Sequence, residues 1–280
     1  MHIDGRVELL MIRFWTDLWK SRLLVKQLVL TRSRVSTARM LLGWGWWILD
    51  PVLMMLVYWG IVFGIRGDMP TGQDPFPMFL LSTLIVWKHL ASTVGRATGI
   101  YGSQANVILS IPFCISSIPL AETISGCIPF VCGLLTYLAV SIVVSTPLDS
   151  GSWWCCIQIV PLLAIQVSLL FGLALAFSIF GALVRDIGGL VQHCLHAAYF
   201  LSPGLYSLTT LQERVGDNFF GLYIALNPAA YLMDSYRKIM FHGQWVETEV
   251  WGVMFIQSIV ILSMGIVVHQ AGKVRVVRAL

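Results

Sequence analysis

The sequence predicts an all-α integral membrane protein with six transmembrane helices. An amphipathic interfacial helix precedes them, and a re-entrant outer hairpin precedes the last. Three observations carry that reading. The 280 residues are 57% hydrophobic and 11% charged, with a mean hydropathy of +0.80, which is too little charge to coat a soluble domain. Apolar runs recur at roughly the 20 residues a helix needs to cross the hydrocarbon core. Eight of the 18 Lys and Arg residues (Arg6, Arg13, Lys20, Arg22, Lys26, Arg32, Arg34 and Arg39) precede the first long run. Basic flanks are retained on the cytoplasmic side, so they place the N-terminus inside.

The first 43 residues form a cytoplasmic N-terminal segment. Within it, residues 7–20 put Val7, Met11, Phe14, Trp15 and Leu18 on one helical face and Arg13, Asp17 and Lys20 opposite. That helix is too short and too charged to span, and suits the inner headgroup layer; an ordinary soluble amphipathic helix is the alternative. Asp4, Arg6, Glu8 and Arg13 interrupt any signal-peptide core, so no cleaved leader is expected.

The transmembrane region covers 44–270, with spans at about 44–65, 76–96, 119–145, 155–183, 189–208 and 250–270. Six crossings return a short tail, 271–280, to the cytoplasm. With this map the basic residues Arg96, Arg185, Lys273, Arg275 and Arg278 join the N-terminal eight inside. Arg66, Arg214, Arg237 and Lys238 fall outside, and Lys88 lies within a span. The net charge of +4 thus sits where topology needs it, with no basic, aromatic-laced groove for nucleic acid.

The outer connection 209–243 is unusual. Asn227 suits an N-cap, Pro228 a first helical turn and Gly243 a stop. The implied helix, about 14 residues or 21 Å, is too short to cross. Two short apolar pieces joined by a helix start read as a re-entrant hairpin, which protein or a cavity must shelter; an interfacial loop is the alternative.

Material for catalysis is thin. His193 and His196 lie three apart without a nearby carboxylate, and the six cysteines include no CxxC pair, so they read as packing residues and no metal is expected. No GxxxxGK[ST] loop is present, so ATP would have to be bound elsewhere. Among ionisable groups in the spans, Asp50 is positioned to tie the first span to the basic N-terminal helix. Glu122 reads as a first-turn carboxylate stabilised by its helix N-terminus. Lys88 either snorkels to the inner interface or lines an aqueous path for an anionic cargo. Trp44, Trp46 and Trp47 read as an interfacial belt. Tyr58, Trp59, Trp87, Tyr199, Phe200 and Tyr206 lie deeper, where rings serve either packing or a ladder of flat faces along a sugar chain.

Four blocks then resemble the membrane subunits of ABC-2 type polysaccharide exporters, which move O-antigen, capsule or teichoic acid chains. They are Leu42-Gly43 through Trp47-Ile48-Leu49-Asp50-Pro51; Phe76-Pro77-Met78-Phe79-Leu80-Leu81 with Trp87; Arg185-Asp186-Ile187-Gly188 with Leu201-Ser202-Pro203 and Tyr206; and Asn227-Pro228 with Tyr236-Arg237 and Gly243. The resemblance implies an export permease of the bacterial inner (plasma) membrane that pairs with a second copy of itself and with two copies of a separate ABC ATPase. That partner, not this chain, would bind ATP and Mg; this chain would be no enzyme. It further implies a substrate path along Tyr58, Trp59, Trp87, Lys88, Tyr199, Phe200 and Tyr206. ATPase coupling would fall to Asn106, Ile108, Leu109, Phe113, Arg185 and Asp186, and an outer gate to Asn227, Pro228, Tyr236 and Arg237. The cargo would be a lipid-linked polysaccharide in contact with membrane lipids. One departure is that Phe113-Cys114-Ile115-Ser116 replaces the charged Phe-Pro-Arg-Glu-like stretch of many relatives. An ABC-2 exporter of drugs or lipids, and a membrane enzyme using His193 and His196 on lipid-linked sugars, are the other readings.

Overall fold

The computed structural model describes residues 4–37, 42–66, 75–110, 113–144, 153–184 and 186–279. In order these form α1 (Asp4–Lys20), α2 (Arg22–Thr37), α3 (Gly45–Arg66), α4 (Phe76–Ala97), α5 (Ile100–Ser103), α6 (Ala105–Ser110) and α7 (Ser117–Val143). A 3₁₀ turn over Trp153–Gln158 leads into α8 (Ile159–Leu183). It is followed by α9 (Ile187–Leu201), α10 (Leu208–Val215), α11 (Asp217–Leu226), α12 (Pro228–Met240) and α13 (Thr248–Ala279). Among the described residues no strand occurs.

Among the described residues, five helices are long and apolar enough to cross a membrane: α3, α4, α7, α8 with its leading turn, and α13. The span expected at 189–208 is instead the 15-residue α9, followed by short pieces. At 1.5 Å per residue α9 covers about 22 Å, short of the roughly 30 Å of hydrocarbon. Its end has a local cause. Ser202 leaves the helical region (φ −86°, ψ 158°) immediately before Pro203, which disfavours a helical conformation in the residue preceding it.

α4 is the central post, packed by α3, α7, α8, α9 and α12. Its first turns, Phe76–Leu81, are apolar on every side, as a segment buried all round must be, and the polar groups Lys88, His89 and Arg96 further along find partners on neighbouring helices. Phe76, Phe79, Leu80 and Leu81 are all buried at its first turns. α3, more apolar than α4, leaves Ile48, Leu53, Val57, Ile61 and Phe63 exposed.

The most extensive helix pairing joins α8 to α13. Small residues allow it: a Cβ on Gly265 would fall 2.1 Å from the carbonyl oxygen of Gly172, and one on Gly172 would fall 2.6 Å from the Leu262 backbone. Backbones at this separation gain close van der Waals contact along the crossing, a recurrent solution where lipid removes the hydrophobic drive for helices to associate. α13 also runs past the predicted boundary at 270. Val276 is buried against Ile100, Tyr101, Ile118 and Ile179, so packing sustains the helix through the segment read as a tail.

α1 and α2 are nearly continuous, since Ser21 N–H donates to Asp17 O and Val25 N–H to Ser21 O. Phe14 and Leu18 of α1 pack on Phe171, Leu175 and Ile266, while Trp15, grouped with them by periodicity, is about half exposed.

Candidate functional site

A cavity of about 590 Å³ opens between α3, α4 and α9, with α7 at its base. Of the residues expected along a substrate path, Tyr58, Trp87, Lys88, Tyr199 and Phe200 line it together, with Trp47, Asp50 and His196 beside them. Three helices contribute the rings. Tyr58 lies 5.3 Å from Tyr199 and 6.4 Å from Phe200, and Trp87 lies 5.7 Å from Tyr199, all as ring-centroid distances. These are the offset and edge contacts that aromatic quadrupoles favour. Trp59 and Tyr206 are not among the lining residues. Trp59 turns to Phe63, with centroids 6.1 Å apart, and Tyr206 belongs to the break after α9.

Lys88 Nζ pairs with the carboxylate of Asp50 across the cavity wall. Asp50 therefore joins the first two long helices and not, as the sequence suggested, the N-terminal segment. The basic N-terminal helix is tied down by another carboxylate. Glu122, fully buried, receives Arg32 from α2 and Arg96 from α4. α7 begins at Ser117, so Glu122 sits in the second turn, where two guanidinium groups replace the expected helix terminus as its partners. Burial first, and the neighbouring Arg96 charge second, lower the Arg32 guanidinium to about 10, which leaves it charged at neutral pH.

A buried polar chain leads from the cavity to α12. Gln166 Nε2 lies 2.9 Å from His89 Nδ1, and Tyr236 Oη donates to Gln166 Oε1 at 2.7 Å. The Gln166 amide is thereby oriented and donates to Nδ1, which assigns the His89 proton to Nε2. His89 and Gln166 were missed from the sequence. The one signal for Gln166 was an amide in the middle of an apolar span, and such groups are expected to find partners within a bundle.

Of the outer-gate candidates, Asn227 and Arg237 reach the break after α9, whereas Tyr236 turns inward to Gln166 of α8. Asn227 caps α12, its Oδ1 accepting from Ala229 N–H at 3.2 Å, and Pro228 takes the first helical position, both as expected. Asn227 Nδ2 also donates to Ser202 Oγ at 3.0 Å, which joins the start of α12 to the end of α9. Tyr223 Oη donates to the Leu201 carbonyl at 2.9 Å, and Tyr206 Oη donates to the same oxygen. Arg237, 1% exposed, donates to Tyr206 O at 2.9 Å and Gly204 O at 3.3 Å, as well as to Pro203 O. One guanidinium thus satisfies the carbonyls freed where the helix stops, a requirement wherever irregular backbone is buried. α12 ends at Met240, and Gly243 adopts φ 61°, the left-handed turn that stops it.

Among the coupling candidates, Asn106 and Leu109 are exposed on α6, while Ile108 and Phe113 pack partly buried against the Tyr101–Val276 cluster. Asp186 is exposed at the start of α9, and Arg185 lies outside the described residues. His193 and His196 do not form a joint site: His193 Nδ1–H donates to the Gly189 carbonyl at 2.8 Å, and His196 faces the cavity.

No protein-family model matches the chain. It is 25% identical over 256 residues to the O-antigen export system permease protein RfbA of Myxococcus xanthus, covering 90% of this chain and 93% of that protein. A permease of the same name from Klebsiella pneumoniae is 25% identical over 84% of this chain and 86% of its own length. The polysialic acid transport protein KpsM of Escherichia coli is 21% identical over 88% of this chain and 92% of its own length. The chain thus resembles polysaccharide-export permeases along nearly its whole length, as the four sequence blocks imply.

Proposed function

We propose that this chain is the membrane subunit of an ATP-driven exporter that moves a lipid-linked polysaccharide from the cytoplasmic to the outer face of the bacterial inner membrane. The observation that carries the reading is the cavity between α3, α4 and α9, where Tyr58, Trp87, Tyr199 and Phe200 are set around the Asp50–Lys88 pair. Flat rings beside hydrogen-bonding charges suit a sugar chain, whose pyranose faces are apolar and whose edges are polar. The volume lies within the roughly 300–1,000 Å³ of small-molecule sites.

α9 and the irregular stretch Ser202–Ser207 after it serve as the fifth crossing, so both termini face the cytoplasm. α1 lies in the inner interface, and α10–α12 form the re-entrant outer segment, with Asn227, Pro228, Tyr236 and Arg237 as its gate. α9 leaves Gln192, His193 and His196 exposed. In hydrocarbon such a polar strip is costly, and a second copy would cover it and close the path. Two ATPase subunits would bind ATP and Mg and press on α5 and α6, where Asn106, Ile108, Leu109 and Phe113, together with Arg185 and Asp186, form the contact. Their closure would part α3 and α9 from α4 and admit the carrier lipid.

Purification of the tagged chain from its native membranes in mild detergent tests the assembly. Co-recovery of one ATP-binding protein in near-equal amount supports the exporter, whereas a folded dimer without an ATPase overturns it. Loss of surface polysaccharide on deletion, restored by the native chain but not by Trp87→Ala with Tyr199→Ala, identifies the cargo and the path together.

A further inference from the structure

The two N-terminal helices leave a groove against α7 that the transport path does not use. Its volume is about 500 Å³, and its walls are mostly apolar. Trp15, Trp19, Arg22 and Lys26 supply one side at three- and four-residue spacing, and Leu120 and Ile124 of α7 supply the other. Leu120 and Ile124 bracket Glu122, the carboxylate that Arg32 grips. The groove is therefore built in: the Arg32–Glu122 ion pair ties α2 to α7 and so fixes its two walls relative to each other.

The charge along this groove is unbalanced. Arg32 is matched by Glu122, but neither Arg22 nor Lys26 has a carboxylate partner among the described residues. Arg22 instead lies over the Trp19 ring, 5.2 Å from its centroid, and Trp19 is 70% exposed. Exposed tryptophans beside cations mark the headgroup level of a bilayer, whereas the first turns of α7 belong to its hydrocarbon edge. An apolar slot that opens at two unpaired cations is matched by a ligand with an apolar chain beneath an anionic head.

We propose that this groove binds an acidic diacyl phospholipid, with one acyl chain along Leu120 and Ile124 and the phosphate between Arg22 and Lys26. A zwitterionic lipid could supply the chain but carries no net charge for the two cations. The bound lipid wedges the N-terminal helices onto α7. The inference depends on the membrane placement of the fold and not on the nature of the cargo.

The test is native mass spectrometry of the full-length, delipidated protein offered equal amounts of phosphatidylglycerol and phosphatidylcholine. Two basic residues near an anionic headgroup give an expected preference for phosphatidylglycerol of about 25-fold. Arg22→Gln with Lys26→Gln brings that ratio close to one, and Arg22→Lys with Lys26→Arg retains it; both sites are exposed, so the variants fold. Ile124→Trp, which fills the slot, lowers retention of both lipids. Equal binding of the two lipids by the native chain overturns the proposal, as does an undiminished preference in the glutamine variant. Displacement of phosphatidylglycerol by equimolar polyprenyl phosphate also overturns it, by assigning the groove to a carrier lipid.

Discussion

The guanidinium of Arg237 lies 3.8 Å above the ring of Phe79 while its nitrogens hold the carbonyls of Pro203, Gly204 and Tyr206. A residue counted on charge as a loop cation is therefore the buried keystone of the outer segment. Arg237→Ala leaves the Pro203 and Tyr206 carbonyls without donors and Gly204 with Thr83 alone; each orphaned carbonyl is worth about 1–3 kcal/mol when buried, so a loss of about 2 kcal/mol or more is expected. Arg237→Lys recovers part of it, because an ammonium can neither bridge all three oxygens nor stack as a plane. Thermal unfolding in detergent should rank native, Lys and Ala in that order. Equal melting of all three would dismiss the keystone role.

A second prediction concerns the α8–α13 crossing. The added methyl of Gly265→Ala would meet the Gly172 carbonyl oxygen at 2.1 Å, and no flexible side chain is there to yield. Overpacking of this kind costs about 1–3 kcal/mol where surroundings relax, and more where backbone must move. Gly252→Ala on the same helix meets nothing within 4 Å and should melt like the native protein. Matching melting temperatures for the two variants would contradict the packing described.

The Asp50–Lys88 pair should separate stability from transport. Both groups are partly exposed to the cavity, 50% and 27% respectively, so either single neutralisation (Asp50→Asn or Lys88→Gln) should cost under about 1 kcal/mol. Export should fall by about tenfold or more in each. If both single variants export at the native rate, the pair has no place in the path.

Glu247 provides a pH signature outside the spans. Hydrogen bonds from Lys238 at 2.7 and 2.9 Å hold its carboxyl below the ordinary range. A carboxylate lowered on folding adds stability above its unfolded pKa, and that increment disappears as pH falls through the lower, folded value. Glu247→Gln should therefore reduce the melting temperature slightly at neutral pH, by an amount equivalent to about 0.2–1 kcal/mol, and not at all in strong acid. A difference that persists in strong acid would refute the ion pair as its cause.

Much of this was legible in the chain because membrane helices follow rules of length and charge. α3, α4, α7, α8 and α13 all fall where apolar runs of spanning length occur, and Asn227 and Pro228 begin α12 where capping chemistry puts them. The misses have two causes. Hydropathy averages away the Ser202-Pro203-Gly204 break between Leu201 and Leu205, so 189–208 reads as one helix, and it does not register which face of an apolar helix meets which neighbour. Nor could it match Asp50 to Lys88 or Glu122 to Arg32, since each pair joins helices far apart in sequence. The cavity rings were singled out for depth, and that criterion admitted Trp59, which faces Phe63 instead.

The glycine-to-backbone contact of Gly172 and Gly265 bears on mechanical stiffness. Helices separated by a layer of side chains can slide by rotamer changes, but helices whose main chains touch have no such compliance. α8 and α13 thus behave as a single beam. α3 and α9 meet the rest of the molecule through rings, one ion pair and aliphatic side chains such as Met55 and Val191, contacts that can be exchanged for equivalents on a passing ligand. Deformation of this bundle is therefore expected on the cavity side before it is expected along the beam.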